Sequence, residues 1–384
     1  PLVKEGIAQA VVVTPVDLSD TLKTSAQKPP KGGRSAGMDL ERADALKTAV
    51  QELQEHVRGI SGAELSVAVL GAEPKETKIR ILLGAAADAS LDAMIRQKGN
   101  DPGAFALVVA GNTVQIRGLS DEGTLFGVYE LLEQLGVRWF FPGPLGTVIP
   151  QSKDLSVAEQ RTVQVPSFKA RRTTGGQISK PGEKEHRSAW QRRMRMGGPI
   201  LPSAHGIDFP NQGKGYEFEK HPEYYSLING ERRDRQICIS NPEVIKAVIE
   251  MYKERIRNSA SRDNPDAQSW TGIGPNDGGG YCECSACQAL DAGDMDPFYG
   301  KISVTDRYVW FFNQILKGVD EEFPGKLKIS FYAYSAYNRP PVREKPNPSI
   351  IPAFAPINYC RIHGMGNPVC PEQNRSCRWM IQEW

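Results

Sequence analysis

Residues 304–334 read VTDRYVWFFNQILKGVDEEFPGKLKISFYAY, an amphipathic helix that runs almost directly into a strand. The helix is expected over 304–323, where Pro324-Gly325 stops it: proline cannot continue a helix and glycine punctuates its end. The strand is expected over 327–334, with another at 350–357. Further upstream, Asn241 caps a helix to about residue 258, with Val244, Ile245, Val248, Ile249 and Tyr252 on one side. Residues 168–173, 200–204, 237–239 and 269–274 read as short strands, 183–196 as helix-like and 371–384 as the start of a last helix. Repeated strand–helix units with no hairpin signal require a parallel sheet, open or closed into a barrel. About six strands are counted, whereas a (β/α)8 barrel needs eight and about 250 residues. Residues 167–384 are therefore expected to form a TIM-type barrel that looks incomplete at its C-terminus, either because the natural chain continues past Trp384 or because the last strands are degenerate.

The first half has a different rhythm. Residues 10–13 are a short apolar strand, 20–37 a polar Pro- and Gly-containing loop, and 40–58 a helix with Leu46, Val50, Leu53 and Val57 at three- and four-residue steps. Residues 78–83 form a second strand. Residues 105–109 and 113–117 form a hairpin around Gly111-Asn112. Ser120 caps a helix whose buried stripe is Leu125, Val128, Leu131, Leu132 and Leu135. This alternation predicts a small α/β sandwich over 1–150, a sheet with helices packed on one face. The polar stretch 151–166 reads as a linker. No phosphate-binding Gly-x-x-x-x-Gly-Lys-Ser/Thr loop is present.

Composition narrows the partners. The 384 residues carry 47 Lys and Arg against 45 Asp and Glu, a formal charge of +2. That balance offers no global field for nucleic acid or an anionic membrane. Apolar runs are too short to span a bilayer, so no transmembrane segment is expected. The chain starts at Pro1 without a signal peptide and reads as a processed or truncated product. Seven cysteines are too sparse for a disulfide scaffold.

In a barrel, polar groups just after each strand line the active face. That rule selects Arg171 and Arg172 after the first strand, His205 after the second and Asn276 and Asp277 after the fourth. It also selects Tyr332, Tyr334 and Tyr337 on or after the fifth, and Tyr359, Arg361 and His363 after the sixth. Together they supply an acid, an amide, imidazoles, guanidiniums and aromatic rings. A sugar meets such a set with its hydroxyls and its apolar C–H face, so a glycan is the expected ligand and no cofactor is expected. Singly, each has a blander reading: Asn-Asp-Gly is a common turn, and a histidine can be structural. Cys282-x-Cys284-x-x-Cys287 is the sharpest local pattern. A zinc site with Cys238 or a more distant fourth ligand, a disulfide, and plain buried thiols all fit it; no metal is the expectation, because no second Cys-x-x-Cys completes the usual spacing. Cys360, Cys370 and Cys377 allow one pair with one left over. Gln191-Arg-Arg-Met-Arg195, with Arg187, reads as a solvated helix face or an anion patch.

The segment 123–142 (GTLFGVYELLEQLGVRWFFP) resembles the end of the small α/β domain that precedes the barrel in β-hexosaminidases of glycoside hydrolase family 20 and in α-glucuronidases. Segments 221–230 (HPEYYSLING), 238–244 (CISNPEV) and 275–287 (PNDGGGYCECSAC) resemble the bacterial domain of unknown function 4838, part of which is classed with family 163 endo-β-N-acetylglucosaminidases. The resemblance implies an exported, extracytoplasmic bacterial enzyme degrading oligosaccharide or glycoprotein glycans. It implies that Asn276 orients the substrate's acetamide for attack on its own anomeric carbon, that Asp277 protonates the leaving oxygen, and that Arg171 holds sugar hydroxyls. The hexosaminidase pair is Asp-Glu, and here it is Asn-Asp; Glu283 or a carboxylate beyond Trp384 is the alternative acid. The leading expectation is a substrate-assisted β-N-acetylhexosaminidase. The rivals are a non-catalytic glycan-binding protein and a hydrolase of acidic sugars.

Overall fold

A computed structural model of the chain describes residues 1–18, 45–172, 183–198, 202, 205–207, 215–259, 268–296, 300–357, 359–365 and 367–384. The loop expected at 20–37, the start of the helix expected from Leu40, Thr173 and most of the strand expected at 200–204 lie outside them. Packing divides the chain into two compact units, Pro1–Ile200 and Leu201–Trp384.

The first unit is built on a six-stranded sheet. Its strands are β1 (Ala10–Thr14), β2 (Ser66–Val69), β3 (Ile79–Leu83), β4 (Phe105–Ala110), β5 (Thr113–Gly118) and β6 (Gln160–Gln164), in the order β6-β4-β5-β3-β1-β2. β1 is parallel to β2 and β3, and β3 to β5, while β4 is antiparallel to both β5 and β6. Helices α1 (Ala45–Ser61) and α3 (Asp121–Gln134) bury Leu53, Val57, Val128 and Leu132 with Phe105, Leu107 and Val109 of β4. The Ser120 hydroxyl accepts the Gly123 N–H at 3.2 Å and caps α3. Two expectations are corrected. Helices do not cover one face alone: α2 (Leu91–Lys98) packs Leu91 and Ile95 on Ala106 and Val108, the other face of β4. A strand apolar on both sides must be covered on both. The expected linker carries β6, whose register with β4 runs from Gln160↔Val109 to Gln164↔Phe105. Its polar sequence suits an edge strand.

Helix α4 (Glu183–Arg193) closes this unit. Its arginine run is not merely solvated, since Arg193 pairs with the buried Glu52 of α1 at 3.1 Å and Arg195 with Glu130 and Glu133 of α3.

The second unit opens with an antiparallel hairpin, β7 (Tyr225–Ile228) and β8 (Glu231–Ile237). Its turn is Asn229-Gly230, with φ of 50° and 81°, the positive angles that a two-residue hairpin turn demands. The expectation of no hairpin here was wrong: β8 reads ERRDRQI, and charge hides its period. A three-stranded parallel sheet follows, in the order β9 (Ser269–Gly272), β10 (Leu327–Ala333), β11 (Ile350–Phe354). Helices α5 (Pro242–Arg257), α6 (Ser285–Gln288), α7 (Thr305–Asp320) and α8 (Pro371–Glu383) complete the unit. Val248, Tyr252 and Ile256 of α5 and Phe312, Ile315 and Val319 of α7 form a core with Leu327, Ile329 and Phe331 of β10. Strand–helix units with parallel pairing are thus present, but the parallel sheet among the described residues has three strands and does not close into a barrel. Residues 168–172 form no strand; Arg171 makes one isolated antiparallel bridge to Gly197 in the first unit. No helix among the described residues is long and apolar enough to cross a membrane.

Candidate active site

β9 and β10 run parallel, so the residues following them emerge at the same sheet edge. After β9 the chain turns through 273–280, carrying Asn276 and Asp277; β10 ends in Tyr332 and Ala333, and Tyr334 follows it. A third piece joins them. The Gly206 N–H donates to Pro275 O at 3.0 Å, and Gly274 N–H to Gly206 O at 3.3 Å. Gly206 has φ +89°, and a Cβ there would stand 2.9 Å from Asn276 Oδ1, so only glycine lets the two segments lie this close. This seats His205 with Nε2 3.9 Å from Asp277 Oδ1 and its ring centroid 5.0 Å from Tyr332 and 5.5 Å from Tyr334.

The Asn276–Asp277 loop is held from below by β8. Gln236, buried, accepts the Asn276 backbone N–H at 2.8 Å and donates to Asn276 O at 2.9 Å and Gly279 O at 3.3 Å. The Asn276 side-chain amide donates to Arg235 O at 2.6 Å, and the Arg235 guanidinium donates to Asp277 O at 3.4 Å. One N–H of the Asn276 amide is thus engaged, and its Oδ1 faces Gly206. The Asp277 side chain is 69% exposed and accepts the Gly278 N–H at 3.0 Å. Beneath the loop a cavity of about 20 Å³, lined by Ile207, Gln236, Gly274, Pro275 and Tyr308, has room for a single water. A sugar must be met on the exposed face instead. Gln236 and Arg235 were missed in the sequence; the Asn229-Gly230 turn was the signal that would have placed them on a hairpin.

Within the second unit the structure gathers His205, Asn276, Asp277, Tyr332 and Tyr334, with the buried Tyr337 ring 6.4 Å behind Tyr334. Arg171 and Arg172 lie in the first unit. There Arg171 pairs with Asp101 at 3.3 Å and donates to Phe168 O and Arg195 O, and Arg172 donates to Gly198 O. Arg361 lies over the ring of Tyr359. His363 Nδ1 sits 3.3 Å from both Cys360 Sγ and Cys370 Sγ. Hydrogen bonds from the backbone of His363 and Ile362 hold the Cys360 thiol down to about 6. Glu283, the alternative acid, is tied to the hairpin: its carboxylate accepts the Asn229 N–H at 2.7 Å.

The loop ends in a knot of thiols. Cys238 follows β8, Cys282 closes the loop, and Cys284 and Cys287 border and enter α6. Cys238 Sγ lies 3.7 Å from Cys282 and Cys284 and 3.8 Å from Cys287. Bonds from Cys282 and Cys287 hold the Cys238 thiol far below its usual range, and the same contacts push Cys287 up. Ser240 Oγ reaches Cys287 Sγ at 3.1 Å, and the Leu227 N–H donates to Cys282 Sγ at 3.3 Å.

The family described as Domain of unknown function (DUF4838) matches residues 141–384. A probable alpha-glucuronidase A of Aspergillus terreus (strain NIH 2624 / FGSC A1156) is 35% identical over 109 residues, 27% of this chain and 12% of that protein. Among solved structures, the GH115 4-O-methyl-alpha-glucuronidase BtGH115A aligns over 86% of this chain and 43% of that one, with 15% identity and a TM-score of 0.38. The Flavobacterium johnsoniae chitobiase FjGH20 aligns over 91% and 52%, with 11% identity and a TM-score of 0.37. The chain thus spans about half of each solved structure and far less of the curated relative.

Proposed function

The chain belongs to the DUF4838 family, and from that premise we propose that it is part of a glycoside hydrolase acting outside the cytoplasm on β-linked N-acetylhexosamine in oligosaccharide or glycoprotein glycans. The observation that carries the reading is the grouping of Asn276, Asp277 and His205 with two tyrosines at one sheet edge. In this reading Asn276 Oδ1 accepts the acetamide N–H and turns the acetamide oxygen toward the anomeric carbon. Asp277 gives its proton to the glycosidic oxygen as that bond breaks, then takes one from the water that opens the cyclic intermediate. Tyr332 and Tyr334 offer ring faces to the sugar's C–H face.

The test is Asp277→Asn on a β-linked N-acetylglucosaminyl oligosaccharide, whose poor leaving group needs a proton. A fall in kcat/KM of about 100-fold or more is expected. Near-wild-type turnover removes Asp277 from the acid's role. Tight binding with no reducing ends released by the wild type makes the protein a glycan binder instead. The stretch shared with the alpha-glucuronidase favours a second reading, a hydrolase of uronides. A panel setting N-acetylhexosaminides against uronides separates the two.

A further inference from the structure

Four cysteines distant in sequence meet beside the Asn276–Asp277 loop, with all four sulfurs within 4.8 Å of one another and three of the residues buried. We propose that Cys238, Cys282, Cys284 and Cys287 bind one structural zinc ion, which fastens the end of β8 and the base of α6 to the loop between them.

Geometry carries the assignment. A zinc–thiolate bond of about 2.3 Å in a regular tetrahedron sets the sulfurs about 3.8 Å apart. Cys238 Sγ lies 3.7, 3.7 and 3.8 Å from its three neighbours. Three near-equal distances from one sulfur suit a shared central ion, whereas a disulfide would draw Cys238 to a single partner. The ligands also come in the closed four-thiolate set of structural zinc, with no position left for water or substrate. The surroundings supply what thiolate ligands need. The Leu227 N–H and the Ser240 hydroxyl reach the sulfurs, and Arg232 sits beside Cys238 to offset the net negative charge of a zinc tetrathiolate. On binding, the four thiols release their protons to solvent and each sulfur gives an electron pair to the ion. The sequence showed three of the ligands in one local motif and offered Cys238 among possible fourths; α5 separates it from the other three in the chain.

This proposal is independent of the reaction assigned to the loop. Its test begins with metal analysis of the purified wild-type protein and of Cys238→Ser and Cys287→Ser. Each variant should lose one equivalent of zinc, whatever the separate Cys360–His363–Cys370 group holds, and should lose amide-exchange protection over 274–287. Should both variants fail to fold, the wild type alone still decides. Cobalt exchanged into it should give the intense visible bands of a tetrahedral thiolate site. Unfolding without reductant should free all four thiols together with one zinc. Disulfides recovered among these four cysteines, iron in place of zinc, or variants that retain the wild-type zinc content would each overturn the assignment.

Discussion

Gln236→Ala tests whether the candidate site is held by the hairpin rather than by its own turn. The side chain makes three hydrogen bonds, to the N–H and C=O of Asn276 and to Gly279 O. Each contributes about 1 kcal/mol net, and a buried partner left unpaired costs about 1–3 kcal/mol. Asn276 is itself exposed, so water can take over part of the loss. The space vacated by the glutamine adjoins the small cavity already present, which lets a water enter. A destabilisation of about 2–3 kcal/mol follows. It should be confined to the second unit and show as early loss of its signal in a urea titration. The sharper readout is hydrogen exchange: the Asn276 amide, protected in the wild type by the Gln236 carbonyl, should exchange at nearly the rate of an open loop. Gln236→Glu keeps that acceptor but turns an oxygen toward two carbonyls. It should behave like the alanine variant at neutral pH and recover in acid, when the carboxyl regains a proton to donate. A Gln236→Ala protein with wild-type urea behaviour and a protected Asn276 amide would show that the loop holds itself, and the clamp would lose its meaning.

Three further outcomes are expected. Arg193→Ala removes the arginine from the Glu52 carboxylate, 7% exposed, leaving it His56 Nδ1 at 3.4 Å, and should cost about 2 kcal/mol in chemical denaturation. Glu52→Gln should cost less; equal losses would mean the charge is not what matters. Gly230→Ala forces a side chain to φ 81° and should cost about 1 kcal/mol, read as a lower urea midpoint with unchanged slope. Arg117 grips Asp92 with two bonds of 2.7 Å, which lowers the carboxyl from 3.8. A lowered folded value means that the stabilisation is present above 3.8 and fades as pH falls through the folded value. Asp92→Asn should therefore be about 1 kcal/mol less stable than wild type at pH 7, with the gap closing in strong acid; a gap that persists there would refute the pairing.

What the sequence disclosed depended on whether a local pattern carried the information. The stripe of Leu125, Val128, Leu131 and Leu132 with a serine cap is self-contained, and α3 falls where it predicts. So does the hairpin around Gly111-Asn112. α2 was invisible because Leu91 and Ile95, with Met94 partly buried beside them, are its whole apolar face over eight residues, too few to show a period. β6 and β8 were missed for a shared reason: paired strands of mostly polar residues take their order from the neighbour's backbone, which leaves little hydrophobic trace. In the candidate site, Asn276, Asp277 and His205 were accessible through their places after expected strands. Gln236 acts through backbone atoms forty residues away, a relation no local reading contains. Arg171 was proposed from an expected strand end and from the family resemblance; residues 168–172 form no strand, and its partners within the first unit are Asp101 and the 195–197 backbone.

The Asn276 side-chain contact has a consequence for how the loop answers to acidity. An aspartate at 276 would point a carboxylate at the Arg235 carbonyl and could occupy the same place only by keeping a proton. Asparagine supplies that N–H permanently. It does at every pH what a neutral carboxylic acid would do only in part of the range. A chain that installs Asp at 276 should acquire an additional acid-dependent step in the order of its loop, absent from the natural protein. The amide trades chemical versatility for a fixed hydrogen-bonding polarity.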